Sequence, residues 1–202
     1  MMKRRESNLR KEDVSLSNKI YDFLDMTFYK NEVTEFERVY DKPRQLKGED
    51  VIFTIGDKKY IADEKAAVRY RNLKTYSLEL SFINRNNEVQ DGWFINDKLE
   101  NNSYVFVWID NEFGKETVTV AIVMKDKIFD YLKTLGWSKE NLIKKMKQIR
   151  NGEQTSFGNI YENGCKFSYS TKLVEQPINI LLPRNKYEEL ADKIWKEDLK
   201  IY

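Results

Sequence analysis

The segment from residue 50 to residue 67 leaves the chain few conformational options. Val51 to Ile55 is a short run of β-branched and aromatic residues, Gly56-Asp57-Lys58 reads as a turn, and Lys59 to Ala67 returns as a second strand. The segment is therefore expected to fold as a hairpin. Tyr76, Leu78, Leu80 and Phe82 alternate with Thr75, Ser77, Glu79 and Ser81, which predicts a third strand with one apolar and one polar face. Asn86-Asn87 suits a tight turn, with Val89 to Ile95 returning antiparallel. Tyr104 to Ile109 is apolar almost throughout and reads as a central strand, and Thr117 to Met124 reads as another beyond the turn at Gly114.

Helices are expected on either side of these strands. Leu16, Ile20, Phe23 and Leu24 recur at helical spacing behind Ser15 or Ser17, predicting a helix over 16–29. The charged stretch from Asn31 to Gly48, interrupted by Pro43, reads as a connection into the sheet. Two further helices are expected near 126–135 and after Ser138, the second with Leu142, Ile143, Met146 and Ile149 inward. Residues 151–163 read as a loop, 165–170 and 178–182 as strands, and Tyr187, Leu190, Ala191 and Ile194 as the stripe of a final helix. The fold class is thus mixed α/β, with a basic tail over residues 1–14 and one domain over 15–202.

Histidine is absent and Cys165 is the sole cysteine. That removes Ser-His and Cys-His nucleophile pairs, the HExxH zinc site, and structural zinc. Chemistry in this chain must come from carboxylates, lysine, arginine, tyrosine or serine, with a hard cation held by oxygen as the natural aid. Cys165 alternates with Phe167 and Tyr169 and reads as a core thiol. No apolar run approaches the length of a membrane span and Met1 to Lys11 lacks a secretory apolar core, so a cytoplasmic protein is expected. A net charge of +2 neither demands nor forbids a polyanion partner. Lys3, Arg4, Arg5, Arg10 and Lys11, and the basic residues of Lys139 to Arg150, form two candidate phosphate-contact patches, though taken alone they read first as a solvated tail and a solvated helix face.

Within the hairpin, strand alternation sends Asp63 and Lys65 to one face and Glu64 to the other, and Asp50 stands at the start of the partner strand. If the hairpin opens near that end, two carboxylates and one ammonium meet at one point. Phosphodiester hydrolysis needs such a set. Two carboxylates hold Mg²⁺ (or Mn²⁺), and a lysine orients water and offsets the charge that builds on phosphate. Arg69, Tyr70 and Arg71 directly follow and are candidate backbone-phosphate contacts.

Asp50, the turn, and Asp63-x-Lys65 resemble the PD-(D/E)XK, restriction-endonuclease-like phosphodiesterases, whose signature is an aspartate on one strand and D/E-x-K on the next. The likeness extends to Gln45 and Gly48 upstream and to the strand bearing Glu79, where some members place a further acidic or glutamine side chain. Glu49 replaces the name-giving proline. The resemblance implies a restriction-endonuclease-like core, a central mixed sheet flanked by helices, here with inserted antiparallel strands where the family carries a helix after its third strand. It implies a metal-dependent nuclease with Asp50, Asp63 and Lys65 catalytic, Asp50, Asp63 and Glu79 as metal ligands, and Arg69, Arg71 and Gln45 toward substrate. Partners follow as nucleic acid, DNA before RNA, with no membrane and a homodimer left open. The rival is an inactive nuclease-fold module that binds or regulates. Opposite charges decorating an exposed strand edge would also write Asp63 and Lys65, and Asp50 alone could simply open a strand. Ile61, Ala62, Ala66, Ala67 and Val68 around the charges favour half-burial, which charges tolerate only when paired or on metal. Glu64 takes over if the register slips by one residue, and Asp22, Asp25 and Glu35 could reach the site from the first helix.

Overall fold

A computed structural model describes residues 11–152 and 158–200. Basic residues Lys3 to Arg10 of the expected tail lie outside the described residues. Helix α1 (Lys11–Leu24) begins inside the segment read as tail and runs through a π-helical turn (Asp25–Tyr29) into α2 (Lys30–Glu32). The π turn inserts one residue into the helical repeat. Phe28 and Tyr29, adjacent in sequence, are both buried there. Strand β1 (Thr34–Arg38), the short helix α3 (Lys42–Gln45), β2 (Val51–Ile55) and β3 (Lys58–Arg71) follow, then β4 (Thr75–Ile83) and β5 (Val89–Asp91). Next come β6 (Ser103–Glu112), β7 (Lys115–Met124), α4 (Lys125–Thr134), α5 (Lys139–Arg150), β8 (Gly158–Glu162), β9 (Cys165–Tyr169), β10 (Ile178–Pro183), α6 (Arg184–Leu190) and β11 (Lys193–Asp198).

The chain divides into two compact units that interleave in sequence, where the sequence reading placed one domain over 15–202. Among the described residues, one unit comprises 11–74, 98–127 and 185–200, and the other 75–97, 128–152 and 158–184. The first is built on a six-stranded sheet in the order β1-β2-β3-β6-β7-β11. Its β1, β2 and β3 form an antiparallel meander, and β6 then lies parallel to β3 with Asp63 opposite Tyr104 and Lys65 opposite Phe106. The molecule is therefore mixed α and β, as the strand and helix patterns indicated.

Both faces of this sheet are covered. On one, Ile20, Leu24, Phe28 and Tyr29 pack over Val51, Phe53, Tyr60, Ala62, Val105, Val107 and Val120. On the other, Tyr187 of α6 meets Phe106 with ring centroids 4.5 Å apart, beside buried Tyr104 and Trp108. Every residue from Ser103 to Asp110 is buried, so β6 is the doubly covered strand its apolar run announced. Each such fully buried aromatic or aliphatic side chain contributes roughly 1.5–3 kcal/mol.

The second unit carries a five-stranded sheet, β5-β4-β10-β9-β8, whose pairs are all antiparallel. Ser138 caps α5 by accepting from Asn141 N–H, and Leu142, Met146 and Ile149 are buried as expected, Ile143 only partly. Lys145 is buried on the same helix and pairs with Glu162. Phe94 stacks on Phe129 at 4.5 Å.

Several elements differ from the sequence reading. The 75–83 strand belongs to the second sheet, and the meander's missing member is β1, whose Thr-Glu-Phe-Glu-Arg carries one apolar residue because it is an edge. Glu35 there takes φ of 52°, at the irregularity in the β1/β2 register. The final helix stops at Leu190. From Lys193 the chain pairs with β7, turning Ile194 outward while the Trp195 ring comes within 5.4 Å of Phe28. An open strand edge outweighed a helical stripe of four residues. Part of the expected loop is β8, and the return after Asn87 ends at Asp91, because Gly92 packs on the Glu79 carbonyl, where a Cβ would sit at 2.3 Å.

Candidate active site

Asp41 caps α3 by accepting from Arg44 N–H, Pro43 fits the first turn, and the chain then reverses through Gly48 at φ +81°. A side chain at Gly48 would lie 2.9 Å from Asn101 Oδ1 as well as straining the backbone. The reversal sets Asp50 at the mouth of the hairpin. Its N–H donates to the Ala62 carbonyl at 3.0 Å, and its Oδ2 accepts from Glu64 N–H at 3.0 Å. The carboxylate thus occupies the ladder position that a continuing strand would fill with a carbonyl.

Asp63 projects beside it, close enough for the Asp50 carboxyl to raise the Asp63 carboxyl. Lys65 Nζ lies 2.7 Å from Asp63 Oδ1. Burial, opposed by Lys65 and reinforced by Asp50, pushes the Asp63 carboxyl up to about 7. The Tyr104 hydroxyl is pushed well up by burial and then by the Asp63 carboxylate, so it stands on the same face as a proton-bearing group. Asp50, Asp63 and Lys65, expected together, are together.

Glu64 points to the opposite face and enters a buried network that sequence reasoning did not assemble. Its Oε1 accepts from Tyr29 O–H at 2.6 Å and its Oε2 from Arg38 Nη1 at 2.9 Å. Arg38 Nε and Nη2 clasp Asp25, the shortest contact being 2.6 Å. Burial raises the Glu64 carboxyl against the pull of Arg38 and Tyr29. Arg38 lies over the rings of Tyr21 and Tyr29. Its sequence signal was faint: alternation with Phe36 puts it on the inner face of an edge strand.

Between α1, the chain after β1, and α3 lies a cavity of about 470 Å³, lined by Asp22, Arg38, Tyr40, Gln45, Asp50 and Glu64 among others. Gln45 is half-buried and donates to the Val39 carbonyl. Arg71 is held by Glu116 at 2.5 Å and by the Val68 carbonyl, while Arg69 is exposed near the end of β3. Glu79 lies in the second unit, half-buried on β4 opposite Asn179. Of the first-helix candidates, Asp22 lines the cavity and Asp25 pairs with Arg38. Cys165 is buried, and burial lifts its thiol to about 11, as befits core.

The donor set fits a hard divalent ion. Two carboxyls pressed together in a buried setting repel each other when ionised, and a cation relieves that repulsion. Mg²⁺ is commonly held by one or two carboxylates, water and substrate oxygens completing its shell. Among the described residues no group of three or more Asp, Glu or Cys side chains is placed to hold one ion. No described helix is long and apolar enough to cross a membrane. Comparison with protein-family models, curated proteins and solved structures finds no match.

Proposed function

We propose that this chain is a metal-dependent phosphodiesterase of the restriction-endonuclease-like type acting on nucleic acid. The observation that carries the reading is the convergence of Asp50, Asp63 and Lys65 at the mouth of one hairpin. The mixed six-stranded sheet, in which β6 runs parallel to β3, supports it as the kind of central sheet the resemblance implies. Asp50 and Asp63 would hold Mg²⁺ or Mn²⁺, which would supply polarisation of a phosphoryl oxygen and a more acidic water. Lys65, 2.7 Å from Asp63 Oδ1, orients the attacking water and offsets the charge developing on phosphate.

The test incubates the protein with plasmid DNA and with RNA, with Mg²⁺, with Mn²⁺ and with EDTA, alongside Asp63→Ala. Divalent-dependent cleavage lost in the variant supports the proposal. Equal degradation by both proteins, or none by wild type, overturns it. The net charge of only +2 favours a second reading, a binding or regulatory module of this fold without turnover. That reading requires binding that persists while cleavage stays absent under every divalent ion.

A further inference from the structure

From the cavity beside Asp50 we infer a pocket for one unstacked nucleobase carrying an exocyclic amino group, which makes the substrate single-stranded at the site of attack. The inference rests on the proposed nuclease reading for its reaction, and on the cavity alone for its ligand. At about 470 Å³ the space accommodates a nucleotide. One wall is α1, where Asn18, Tyr21 and Asp22 share a face at i, i+3 and i+4 spacing. The other is Tyr40 and Gln45.

Charge decides what can enter. Asp22, Asp50 and Glu64 line the cavity against Arg38 alone. Arg38 is already committed to Asp25 and Glu64. A phosphate is repelled by such a lining, whereas a neutral group rich in N–H donors is accepted. Asp22 offers carboxylate acceptors. The Gln45 amide, anchored through Nε2 to the Val39 carbonyl, has an Oε1 with no partner among the described residues. Tyr40, which lines the cavity and is 79% exposed as a residue, supplies the flat surface a base stacks on. Asp50 belongs both to this lining and to the candidate catalytic set. A base seated here stands beside Asp50 on the Glu64 side of the hairpin, and its sugar-phosphate reaches Asp63 and Lys65 by rounding the hairpin mouth, a path that a base held inside a duplex cannot follow without leaving the stack.

The experiment measures fluorescence anisotropy of the full chain in EDTA at one fixed low salt. The probes are labelled oligo-dC and oligo-dT of about 12 nucleotides and a duplex of the same length. Oligo-dC and oligo-dT differ at the exocyclic position with equal backbone charge. Oligo-dC is expected to bind at least roughly tenfold tighter than oligo-dT or duplex. Tyr40→Ala should weaken oligo-dC roughly tenfold while leaving duplex affinity unchanged. Asp22→Asn should narrow the gap between dC and dT. The two positions are exposed, and circular dichroism melting checks that both variants fold. Equal affinity for dC and dT, a duplex bound as tightly as oligo-dC, or indifference to Tyr40→Ala each overturns the pocket. Divalent-dependent cleavage of duplex without base preference removes the pocket and leaves the nuclease standing. Preference for oligo-dC with no cleavage under any divalent ion does the reverse.

Discussion

The main-chain N–H of Glu64 donates to Asp50 Oδ2 at 3.0 Å, so one carboxylate both ends the hairpin ladder and faces the candidate metal position. Structure and proposed chemistry are thereby separable by choice of variant. Asp50→Asn keeps an oxygen acceptor for the Glu64 amide and should unfold in urea close to wild type while losing cleavage. Asp50→Ala leaves that amide unanswered and should cost about 1–3 kcal/mol in the same titration.

Asp63 is expected to destabilise the metal-free protein. Its folded carboxyl, lifted to about 7 by burial, holds a proton that the unfolded chain releases near 3.8. The native state therefore binds more protons across that window, and stability falls as pH rises through it. Asp63→Asn removes the penalty. In EDTA at pH 8 its melting temperature should exceed wild type by about 2–4 °C per kcal/mol recovered, and the difference should shrink by pH 4. A variant that melts below wild type at pH 8 would count against the burial argument.

The Tyr29-Glu64-Arg38-Asp25 network should be the costliest polar feature to break. Glu64 has a side chain 1% exposed, and Glu64→Ala leaves Arg38 paired with Asp25 alone, with Arg38 Nη1 and the Tyr29 hydroxyl losing their acceptor. A loss of about 2–6 kcal/mol, about 1–3 for each group left unanswered, is expected in urea unfolding. Tyr29→Phe, which deletes one hydrogen bond to that carboxylate, should lose about 1.5–3 kcal/mol.

Acid sensitivity should trace to Asp192. Burial tends to raise its carboxyl, but hydrogen bonds from Lys127, Lys58 and Tyr60 outweigh burial and hold it below the ordinary aspartate value. Folded Asp192 gives up its proton more readily than the unfolded chain. Its contribution is complete above about pH 4 and drains away as the pH drops further. Asp192→Asn should flatten the stability profile in that acid range and lower stability at pH 7.

Gly48→Ala should destabilise by at least about 1 kcal/mol, since φ is +81° and the added Cβ meets Asn101. Differential scanning calorimetry reads this directly, and Asn101→Ala in the same background should recover only the steric part.

How much of this was legible depended on how local the cause was. Asp63 and Lys65 share a face because strands alternate, and their placement beside Asp50 follows from a turn only a few residues long. The central strand and the cap at Ser138 are likewise written in adjacent residues. Strand β1 was not, because an edge strand needs only one apolar residue, and β11 was not, because its pairing with β7 is a property of a partner some seventy residues earlier. The Arg38 network fails for the same reason: Asp25, Arg38 and Glu64 are ordinary charges until three elements fold onto one another.

The placing of β11 bears on how the protein is made. Synthesis is vectorial, and β7 is complete at Met124 while its neighbour begins only at Lys193. At about 5–20 residues per second, the nascent chain keeps the outer edge of β7, already paired with β6 on its other side, open for several seconds, in the form that chaperones capture.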